Sequence, residues 1–309
     1  MNVLVVGGGG FIGSFLFNRL ESLGHRVVCT TRGAVPINDE NSKNWVKLDH
    51  WSQKSWNDLL SREFDLIYHL GWSTVPRTAD ADPVADLIEN VGAGLRLLIS
   101  VATISPSARI IFASSGGTVY GRTKLEKNSE SDALKPISTY GVSKLSLEYY
   151  MGMFRAERGV DAVCARISNP YGPGQYKNRS FGAVSTFVHR AAHGERISIF
   201  GSGEITRDYI YIADLCEALI QLGALENAPD VVNIGSGIGT SLFDIIFTLE
   251  ELLGRAVDYE LIEGRSFDVR TSVLDISKIL NVTDWKPKVS LREGMANVMS
   301  VGSMISVTD

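Results

Sequence analysis

Short runs of aliphatic and β-branched residues alternate with longer amphipathic stretches through the first half of the chain, and further amphipathic stretches follow in the second half. The short runs have the length of buried strands, and in the longer stretches the apolar residues recur at helical spacing. The pattern predicts strands over residues 3–6, 26–30, 45–48, 66–70, 109–113 and 161–166, and helices over residues 14–23, 82–104, 139–158, 184–192, 213–225 and 242–253.

This alternation predicts an α/β fold with a doubly wound parallel sheet, because parallel neighbouring strands need helical crossovers between them. After Asn169 and Pro170 the pattern becomes irregular and rich in glycine, tyrosine and arginine. We expect a smaller α/β lobe in this part of the chain. The sequence contains no repeat, low-complexity tract or flexible linker, so we expect the lobe to be interleaved with the sheet.

The first predicted strand runs directly into a glycine-rich turn in which Gly7, Gly10 and Gly13 are spaced three residues apart. A dinucleotide pyrophosphate binds the N–H groups at the start of a helix, and glycine allows both the tight turn and the close approach. The turn predicts a Rossmann sheet that binds NAD or NADP, with contacts from all three glycines and from Phe11 and Ile12.

The second predicted strand ends in Thr31 and Arg32. NAD-selective enzymes usually place a carboxylate here, which would repel the 2′-phosphate of NADP. A hydroxyl and a guanidinium can instead bind that phosphate. The pair therefore slightly favours NADP. In the alternative interpretation, Arg32 stacks on adenine or faces solvent and leaves the preference open.

Tyr140 and Lys144 lie four residues apart on a predicted helix, so their side chains share one face. A free tyrosine titrates near pH ~10 and is a poor base at neutrality. An ammonium roughly 4 Å away and a positively charged nicotinamide ring would both lower the pKa of the phenol. We predict that Tyr140 exchanges a proton with a substrate hydroxyl while the nicotinamide takes or returns hydride.

The chain resembles the extended short-chain dehydrogenase/reductases of the nucleotide-sugar epimerase/dehydratase family nearly from end to end. The turn at residues 7–13 resembles the TGGxGFIG loop of that family, with Val6 in place of threonine. The segment 69–71 resembles its HxA motif, although His69 is more typical of a satisfied core histidine than of a base. The resemblance implies cofactor contacts from Asp49, Leu70, Gly71, Trp72, Asn90, Tyr140, Lys144 and Tyr171.

A hydroxyl residue completes the catalytic set of this family, Ser/Thr-Tyr-Lys, and Ser115 is the predicted member here. It follows the strand 109–113, whose carboxyl end should face the ligand crevice. One extra residue separates it from the Val-Tyr-Gly that follows, so counting back from Tyr120 selects Gly116 instead. We favour Ser115, since strand pairing fixes the register and a glycine can bulge. Ser114 and Thr118 are the alternatives.

The second half carries three segments that resemble the substrate-binding motifs of this family. In the family, the asparagine and the arginines of these motifs contact the nucleotide diphosphate, and the aspartate holds ribose. Charge-assisted bidentate bonds from arginines suit diphosphate oxygens. The resemblance implies that the substrate contacts are Ser115, Gly116, Asn169, Arg207, Arg265 and Asp268. Trp72 departs from the relatives, which often have small residues at its position, and we expect it to shape the sugar pocket.

We therefore expect a dinucleotide-binding domain over residues 1–168, completed by parts of 205–240, and mainly a nucleotide-sugar-binding lobe over 169–309. The function that the resemblance implies is a nucleotide-sugar 4-epimerase. The alternative is an NADPH-dependent reductase of a 4-keto-6-deoxy sugar nucleotide. A dehydratase usually has an acid pair where this chain has Gly116 and Gly117. A non-catalytic cofactor sensor would typically lose Tyr140 or Lys144.

The composition limits the classes of partner that we expect this protein to bind. The net charge of -5 and the absence of a basic cluster argue against a nucleic-acid partner. We expect no membrane segment and no metal site, and the three scattered cysteines predict free thiols in a reducing cytoplasm. Relatives commonly form dimers through two long helices, which here would be residues 82–104 and 139–158, so we expect a homodimer.

Overall fold

The computed structural model describes residues 1–32, 44–175, 182–263 and 269–305, with side chains to residue 300. The strands are β1 (Asn2–Val6), β2 (Arg26–Thr31), β3 (Trp45–Lys47), β4 (Leu66–His69), β5 (Arg109–Ser115), β6 (Ala162–Ile167), β7 (Asn169–Tyr171), β8 (Ile197–Phe200), β9 (Thr206–Tyr211), β10 (Val231–Ile234), β11 (Gly239–Ser241), β12 (Tyr259–Ile262) and β13 (Thr271–Ser272). The helices are α1 (Phe11–Ser22), α2 (Gln53–Leu60), α3 (Pro76–Ala79), α4 (Pro83–Asp86), α5 (Gly92–Ile104), α6 (Thr139–Arg158), α7 (Ala183–Ala192), α8 (Ile212–Ala224), α9 (Leu242–Leu253), α10 (Ser277–Val282) and α11 (Leu291–Ile305).

Seven strands form one sheet in the order β10-β6-β5-β4-β1-β2-β3, and every neighbouring pair is parallel. The order reverses direction beside β1, so the predicted doubly wound Rossmann sheet is confirmed. Both faces of the sheet are covered by helices. Val3 and Val5 pack in one core cluster with α1 and α8, whereas Leu4 and Val6 pack in the other with α2, α5 and α6. Burial on both faces explains the unbroken apolar run of β1.

The helix predicted over residues 139–158 is confirmed with the same bounds, because strong signals mark both ends. Ser138 Oγ accepts a hydrogen bond from the backbone N–H of Gly141 at 3.2 Å. Gly159 follows the last turn with a φ of +68°, a conformation that favours glycine. The first helix begins earlier than predicted, at Phe11, because the last three residues of the glycine-rich segment form its first turn.

The helix predicted over residues 82–104 is interrupted by a π-helical turn at Leu87–Val91. This turn contains one residue more than an α-helical turn and rotates the residues before it about the helix axis. As a result Leu87 is 47% exposed, while the polar side chains of Asp86 and Asn90 are buried. An uninterrupted helix would have placed Leu87 on the same apolar face as Val91 and Leu98, and the π-helical turn moves it off that face.

The smaller lobe is built around β9, which pairs in parallel with β7 and β13 and antiparallel with β11. A separate parallel pair, β8 and β12, extends the lobe. Helices α7, α9 and α11 enclose a core cluster of their own. Between β9 and β11 the chain returns to the large sheet, where α8 packs on α1 and β10 pairs with β6. The lobe is therefore built from two segments of the chain, one from β7 to β9 between β6 and β10, and one that begins at β11, after β10.

One helical stretch of the described residues, Pro83–Ile104, is long and apolar enough to cross a membrane by length and composition alone. In the structure it packs against α2 and α6 on one face of the sheet. A core helix of a doubly wound sheet has this same composition. All three cysteines, Cys29, Cys164 and Cys216, are buried and free.

Candidate active site

The turn between β1 and α1 lies too close to neighbouring backbone to carry side chains. Gly7 has a φ of +88°, and a Cβ there would lie 2.7 Å from the backbone of Gly71. A Cβ at Gly13 would lie 2.3 Å from the carbonyl oxygen of Gly7. The backbone N–H of Gly7 donates to Thr30 Oγ1 at 3.2 Å, which fixes the turn against β2. The turn that ends at Gly10, the N-cap of α1, thus presents backbone without side chains, as the approach of a phosphate requires.

A cavity of about 420 Å³, the cofactor cavity, opens above this turn at the carboxyl ends of β1, β2 and β4. Its glycine floor and the adjoining helix start fit a dinucleotide pyrophosphate. The predicted cofactor residues on its wall are Gly7, Gly10, Thr31, Arg32, Leu70, Gly71, Trp72 and Asn90. Sequence reasoning missed His50, Trp56 and Glu89, which also line it and which belong to no motif.

Four further predicted cofactor residues, Phe11, Ile12, Gly13 and Asp49, are not on this wall. Phe11, Ile12 and Gly13 form the first turn of α1, and Phe11 packs edge-on against Phe15 at 5.9 Å between ring centres. Asp49 accepts a hydrogen bond from the backbone N–H of Trp51, and its neighbours line the cavity in its place.

Tyr171, another predicted cofactor contact, lies on neither cavity wall. Its ring meets Tyr211 edge to face at 5.7 Å, and a Cβ at Gly294 would collide with its hydroxyl. The side chain is buried in the core of the smaller lobe. β7 is a strand of that lobe, and the two residues before Tyr171, Asn169 and Pro170, line the second cavity.

A second and larger cavity of about 800 Å³, the substrate cavity, lies between the Rossmann sheet and the smaller lobe. It is rich in hydroxyl groups and contains arginines from three separate elements, which suits a phosphorylated ligand. Its polar wall residues are Arg77, Ser115, Thr118, Ser138, Tyr140, Ser168, Asn169, Thr186, Arg190, Ser198 and Arg207. Arg77 and Arg190 were not found from the sequence, because each is a lone arginine on an ordinary helix.

The strand-count prediction selected Ser115, and this residue does line the substrate cavity at the end of β5. Ser114 points the other way and hydrogen-bonds Glu148 in the core. Gly116 is not on the wall. It packs against Leu274, which a Cβ at this position would approach to 2.6 Å, whereas Gly117 lines the cavity. Thr118 also lines the cavity. The extra residue is thus taken up after the strand without disturbing its register.

Tyr140 stands where the two cavities meet. It lines the substrate cavity, and its ring contacts edge to face, at 6.1 Å between centres, the ring of Trp72 on the cofactor cavity. Trp72 is not on the substrate cavity wall, so the expectation that it shapes the sugar pocket is not met. Lys144 is buried behind these rings and donates to the Ala113 carbonyl oxygen at 2.7 Å.

The charges around Tyr140 and Lys144 differ from the simple expectation of a phenol acidified by its ammonium neighbour. Burial raises the pKa of Tyr140 above its ordinary value, and the carboxylate of Asp86 acts in the same direction. Burial lowers the pKa of Lys144 to about 7, while Asp86 and Glu148 act in the opposite direction. The cost of removing a phenolate from water is therefore larger here than the benefit of the neighbouring ammonium.

His69 is neutral in this structure, because burial lowers its pKa to about 3 and Lys144 acts in the same direction. Neither ring nitrogen has a hydrogen-bond partner among the described residues. The expected satisfied core histidine is therefore buried but not satisfied. Its ring packs beside Phe112 at 5.5 Å between centres.

Asn90 and Asp86, brought together by the π-helical turn, anchor the loop that follows β4. Asn90 Oδ1 accepts from the backbone N–H of Ser73 at 2.7 Å, and Asn90 Nδ2 donates to Asp86 Oδ1 at 2.9 Å. Thr74 Oγ1 donates to the same Asp86 oxygen. The second oxygen of Asp86 is buried without a partner among the described residues. Asn90 thus lines the cofactor cavity and also supports the loop whose residue Ser73 lines it.

A buried ion pair fixes α6 against the sheet. Arg166 on β6 binds Glu148 with an N–O distance of 2.7 Å, and each side chain is 4% exposed. Arg166 also donates to the hydroxyl of Tyr120 at 3.1 Å, which in turn donates to Asn233 at 2.7 Å. The network joins α6, β6 and β10, and it holds Glu148 one turn beyond Lys144. Removal of one partner of such a pair is strongly destabilising.

The structure brings together two of the four predicted substrate residues of the smaller lobe. Asn169 lines the substrate cavity, where its Nδ2 donates to the Asp208 carbonyl oxygen at 2.9 Å. Arg207, on the paired strand β9, lines the same cavity. Arg265 and Asp268 lie outside the described residues.

Comparison with known proteins identifies the family. The NAD dependent epimerase/dehydratase family matches residues 3–235. The chain belongs to this family. It is 32% identical over 307 residues to the UDP-glucose 4-epimerase of Mycolicibacterium smegmatis, covering 97% of each chain. It is 32% identical over 301 residues to the dTDP-4-dehydro-6-deoxyglucose reductase of Escherichia coli, covering 95% of each chain.

A solved member of the family has the same architecture throughout. The structure of the UDP-glucose 4-epimerase of Thermotoga maritima with UDP-glucose matches with a TM-score of 0.89 and 31% identity, covering 100% of both chains. The protein is therefore an NAD-dependent enzyme of the nucleotide-sugar epimerase/dehydratase family. Its relatives include epimerases, reductases and UDP-glucuronic acid decarboxylases, so the family alone does not choose among these reactions.

Proposed function

We propose that this enzyme is a nucleotide-sugar 4-epimerase, similar in reaction to UDP-glucose and UDP-N-acetylglucosamine 4-epimerases. The observation that carries the proposal is the position of Tyr140 where the two cavities meet. On one side lies the glycine-floored cofactor cavity, and on the other lie Ser115 and three arginines. A sugar held by its diphosphate in the substrate cavity would present a ring hydroxyl to Tyr140.

In this proposal the chain supplies a base, a hydrogen bond and a charge. Tyr140 removes the proton of the C4 hydroxyl, and Ser115 hydrogen-bonds the same oxygen. Lys144 supplies the positive charge that favours the phenolate. The chemistry that a bound nicotinamide supplies is hydride exchange with C4. Tyr140 then returns the proton to the alkoxide of the epimer, so that neither proton nor hydride is consumed.

The substrate is expected to be a nucleoside diphosphate sugar, in keeping with the arginines of the substrate cavity. Arg190 and Arg207 would bind the diphosphate oxygens as charge-assisted donors, and Asn169 would add an amide donor. We also propose diphosphate and ribose contacts from Arg265 and Asp268. The UDP-glucose of the Thermotoga maritima structure makes UDP-sugars the first substrates to test.

The experiment is incubation of the purified protein with UDP-glucose, UDP-N-acetylglucosamine and dTDP-glucose, without added cofactor. Epimers are detected by proton NMR of the anomeric region. We expect one or more epimers to form, because the cofactor is regenerated in each cycle. Tyr140→Phe is the control, since it keeps the ring and removes the proton carrier. Absence of every epimer with the wild-type protein would contradict the proposal.

A second candidate is the NADPH-dependent reduction of a 4-keto-6-deoxy sugar nucleotide. The observation in its favour is that Thr31 and Arg32 line the cofactor cavity and bring no carboxylate to the end of β2. Reductive enzymes generally use NADPH, and this pair suits the additional phosphate. Stoichiometric oxidation of NADPH by a keto-sugar nucleotide, without epimerisation, would favour this candidate.

We further propose that the protein is a cytoplasmic homodimer with domains at 1–168, completed by parts of 205–240, and 169–309. The dimer contact would be formed by α6 and the stretch from α4 to α5. Large apolar side chains are exposed on these helices, among them Leu87, Ile88, Val142, Tyr149 and Met153. Tyr149→Glu is expected to give a monomer in light scattering, whereas a dimer unaffected by this change would remove the proposal.

A further inference from the structure

The Lys144 ammonium lies among three aromatic rings, Trp72, Phe112 and Tyr140, which we call the aromatic cage. Its nitrogen lies 3.8 Å from the centre of the Trp72 ring, 4.8 Å from that of Phe112 and 5.5 Å from that of Tyr140. Its one hydrogen bond to the described residues goes to the Ala113 carbonyl oxygen. An ammonium carries three donors, and the described groups around it are this one oxygen acceptor and the three rings.

The charged groups around this ammonium are few, and one oxygen of Asp86 has no hydrogen-bond partner among the described residues. Glu148, one turn along α6, is bound by Arg166. Asp86, before the π-helical turn, accepts from Asn90 and Thr74. His69 at the end of β4 is neutral, and the nearby β5 residues, Phe112 and Ala113, carry no charge. The net effect of these groups and of burial leaves the pKa of Lys144 at about 7, so a modest additional interaction decides its charge at neutral pH.

We propose that the indole ring of Trp72 keeps the Lys144 ammonium charged and holds it beside Tyr140, which makes Trp72 a positioning residue. It is the nearest ring of the aromatic cage, and indole is the best cation–π partner among side chains. The same ring contacts Tyr140 edge to face. The inference rests on the proposed function, in which the positive charge of Lys144 favours the phenolate of Tyr140.

The contacts of Trp72 itself also support this assignment. Trp72 Nε1 is buried and has no hydrogen-bond partner among the described residues. Buried indoles usually donate a hydrogen bond. Among the described residues, no such bond fixes the orientation of the Trp72 ring. The polar interaction that the ring does make is with Lys144, and its aromatic contacts are with Phe112 and Tyr140. Trp72 and Lys144 therefore position each other.

The sharpest test varies the electrostatics of the ring at constant size. Mono-, di- and trifluorinated tryptophans at position 72 progressively weaken the negative face of the indole while excluding water as the natural ring does. The pKa of Lys144 is measured in the protein without cofactor or substrate, by NMR titration of carbon-13 at the lysine ε position. The resonance is assigned by its absence in Lys144→Arg. The same fluorinated residues at Trp285, which is buried on a hydrogen bond to the Asp214 carbonyl oxygen, are the matched control.

We expect the pKa of Lys144 to fall with each added fluorine, by about one pH unit in all, which is the size of a desolvated cation–π contact. The Trp285 series should leave it unchanged. Trp72→Phe should give a smaller fall than Trp72→Leu, since a ring is retained. A Lys144 pKa that is constant across the fluorinated series at position 72 would overturn the proposal.

Turnover gives an independent readout. If the charge of Lys144 is needed for reaction, the alkaline limb of the kcat profile should move towards acid by the same amount as the NMR pKa in each variant. A moving NMR pKa with an unmoved alkaline limb would overturn the positioning role. If the wild-type protein turns over no sugar nucleotide, the proposed function fails, and the NMR series alone then decides whether Trp72 keeps Lys144 charged.

Discussion

The two cavities of this protein are built in different ways. The floor of the cofactor cavity is mainly backbone, supplied by the turn after β1 and by Gly71 after β4, where added side chains would collide. The substrate cavity is made by side chains from helices and strands that are far apart in the chain. A site formed by the backbone of one turn appears in the sequence as a short local motif. A site formed by side chains from distant elements appears as isolated residues. The family could therefore be predicted from the chain, but the sugar could not.

The largest expected effect is at the junction of the two cavities. Tyr140→Phe should lower kcat by about 10²–10⁴-fold, because it removes the proton carrier and keeps the ring contact with Trp72. Binding of cofactor and of sugar nucleotide, measured by calorimetry, should change little. A variant that keeps wild-type turnover would show that the proton passes through another group, and Ser115 would be the next residue to test.

The backbone-built cavity should be broken by a single methyl group. Gly7→Ala places a Cβ 2.7 Å from the Gly71 backbone at a φ of +88°. We expect cofactor affinity to fall by about 100-fold and the free energy of unfolding by about 2–3 kcal/mol, from strain and overlap together. The cofactor affinity is measured by fluorescence titration, and the free energy of unfolding by thermal melting. Gly24→Ala, also at positive φ but with open space around it, is the control that separates strain from overlap.

The side-chain-built cavity should respond more gradually. Arg190→Ala is expected to raise KM for the sugar nucleotide by about 10-fold, the usual loss for one charged hydrogen bond, with kcat little changed. Arg196→Ala, on an exposed pair with Asp258 outside the cavity, should leave KM unchanged. Equal effects of the two changes would mean that the charge acts at long range and not by contact.

The smallest expected effect concerns cofactor choice. Arg32→Ala should lower the affinity for NADP relative to that for NAD by about 10-fold, if the guanidinium binds the 2′-phosphate. Arg26→Ala, at the opposite end of the same strand, should not alter the ratio. An unchanged ratio in Arg32→Ala would assign Arg32 to adenine stacking or to solvent.

The fold was predictable wherever local sequence determines local geometry. Helix α6 was found to the residue because Ser138 and Gly159 cap it. The glycine-rich turn was found because backbone crowding permits few alternatives. The short strands of the smaller lobe, β7, β9, β11 and β13, were not predicted, because they are short and their pairing depends on partners that are distant in the chain.

The predictions that missed for the site share one physical cause. Tyr171 and Gly116 were assigned by position in a motif, but their places depend on packing with distant residues, since Tyr171 is buried in the core of the smaller lobe and Gly116 lies against Leu274. The π-helical turn that buries Asp86 had no sequence pattern that we recognised. A possible signal was present, since Asp86 and Asn90 are polar residues four apart within an otherwise apolar helix. Such a pair can mark a buried polar face.

The return of the chain to the large sheet at β10 limits how this protein can be divided. A fragment that stops at Ser168 would lack β10 and leave the hydrogen-bonding groups of β6 unpaired at a sheet margin. Unprotected margins of this kind pair with other chains. The fragment should therefore aggregate, although it contains the whole glycine-rich turn, and expression of the amino-terminal half alone would require residues 231–234 to be grafted back beside β6.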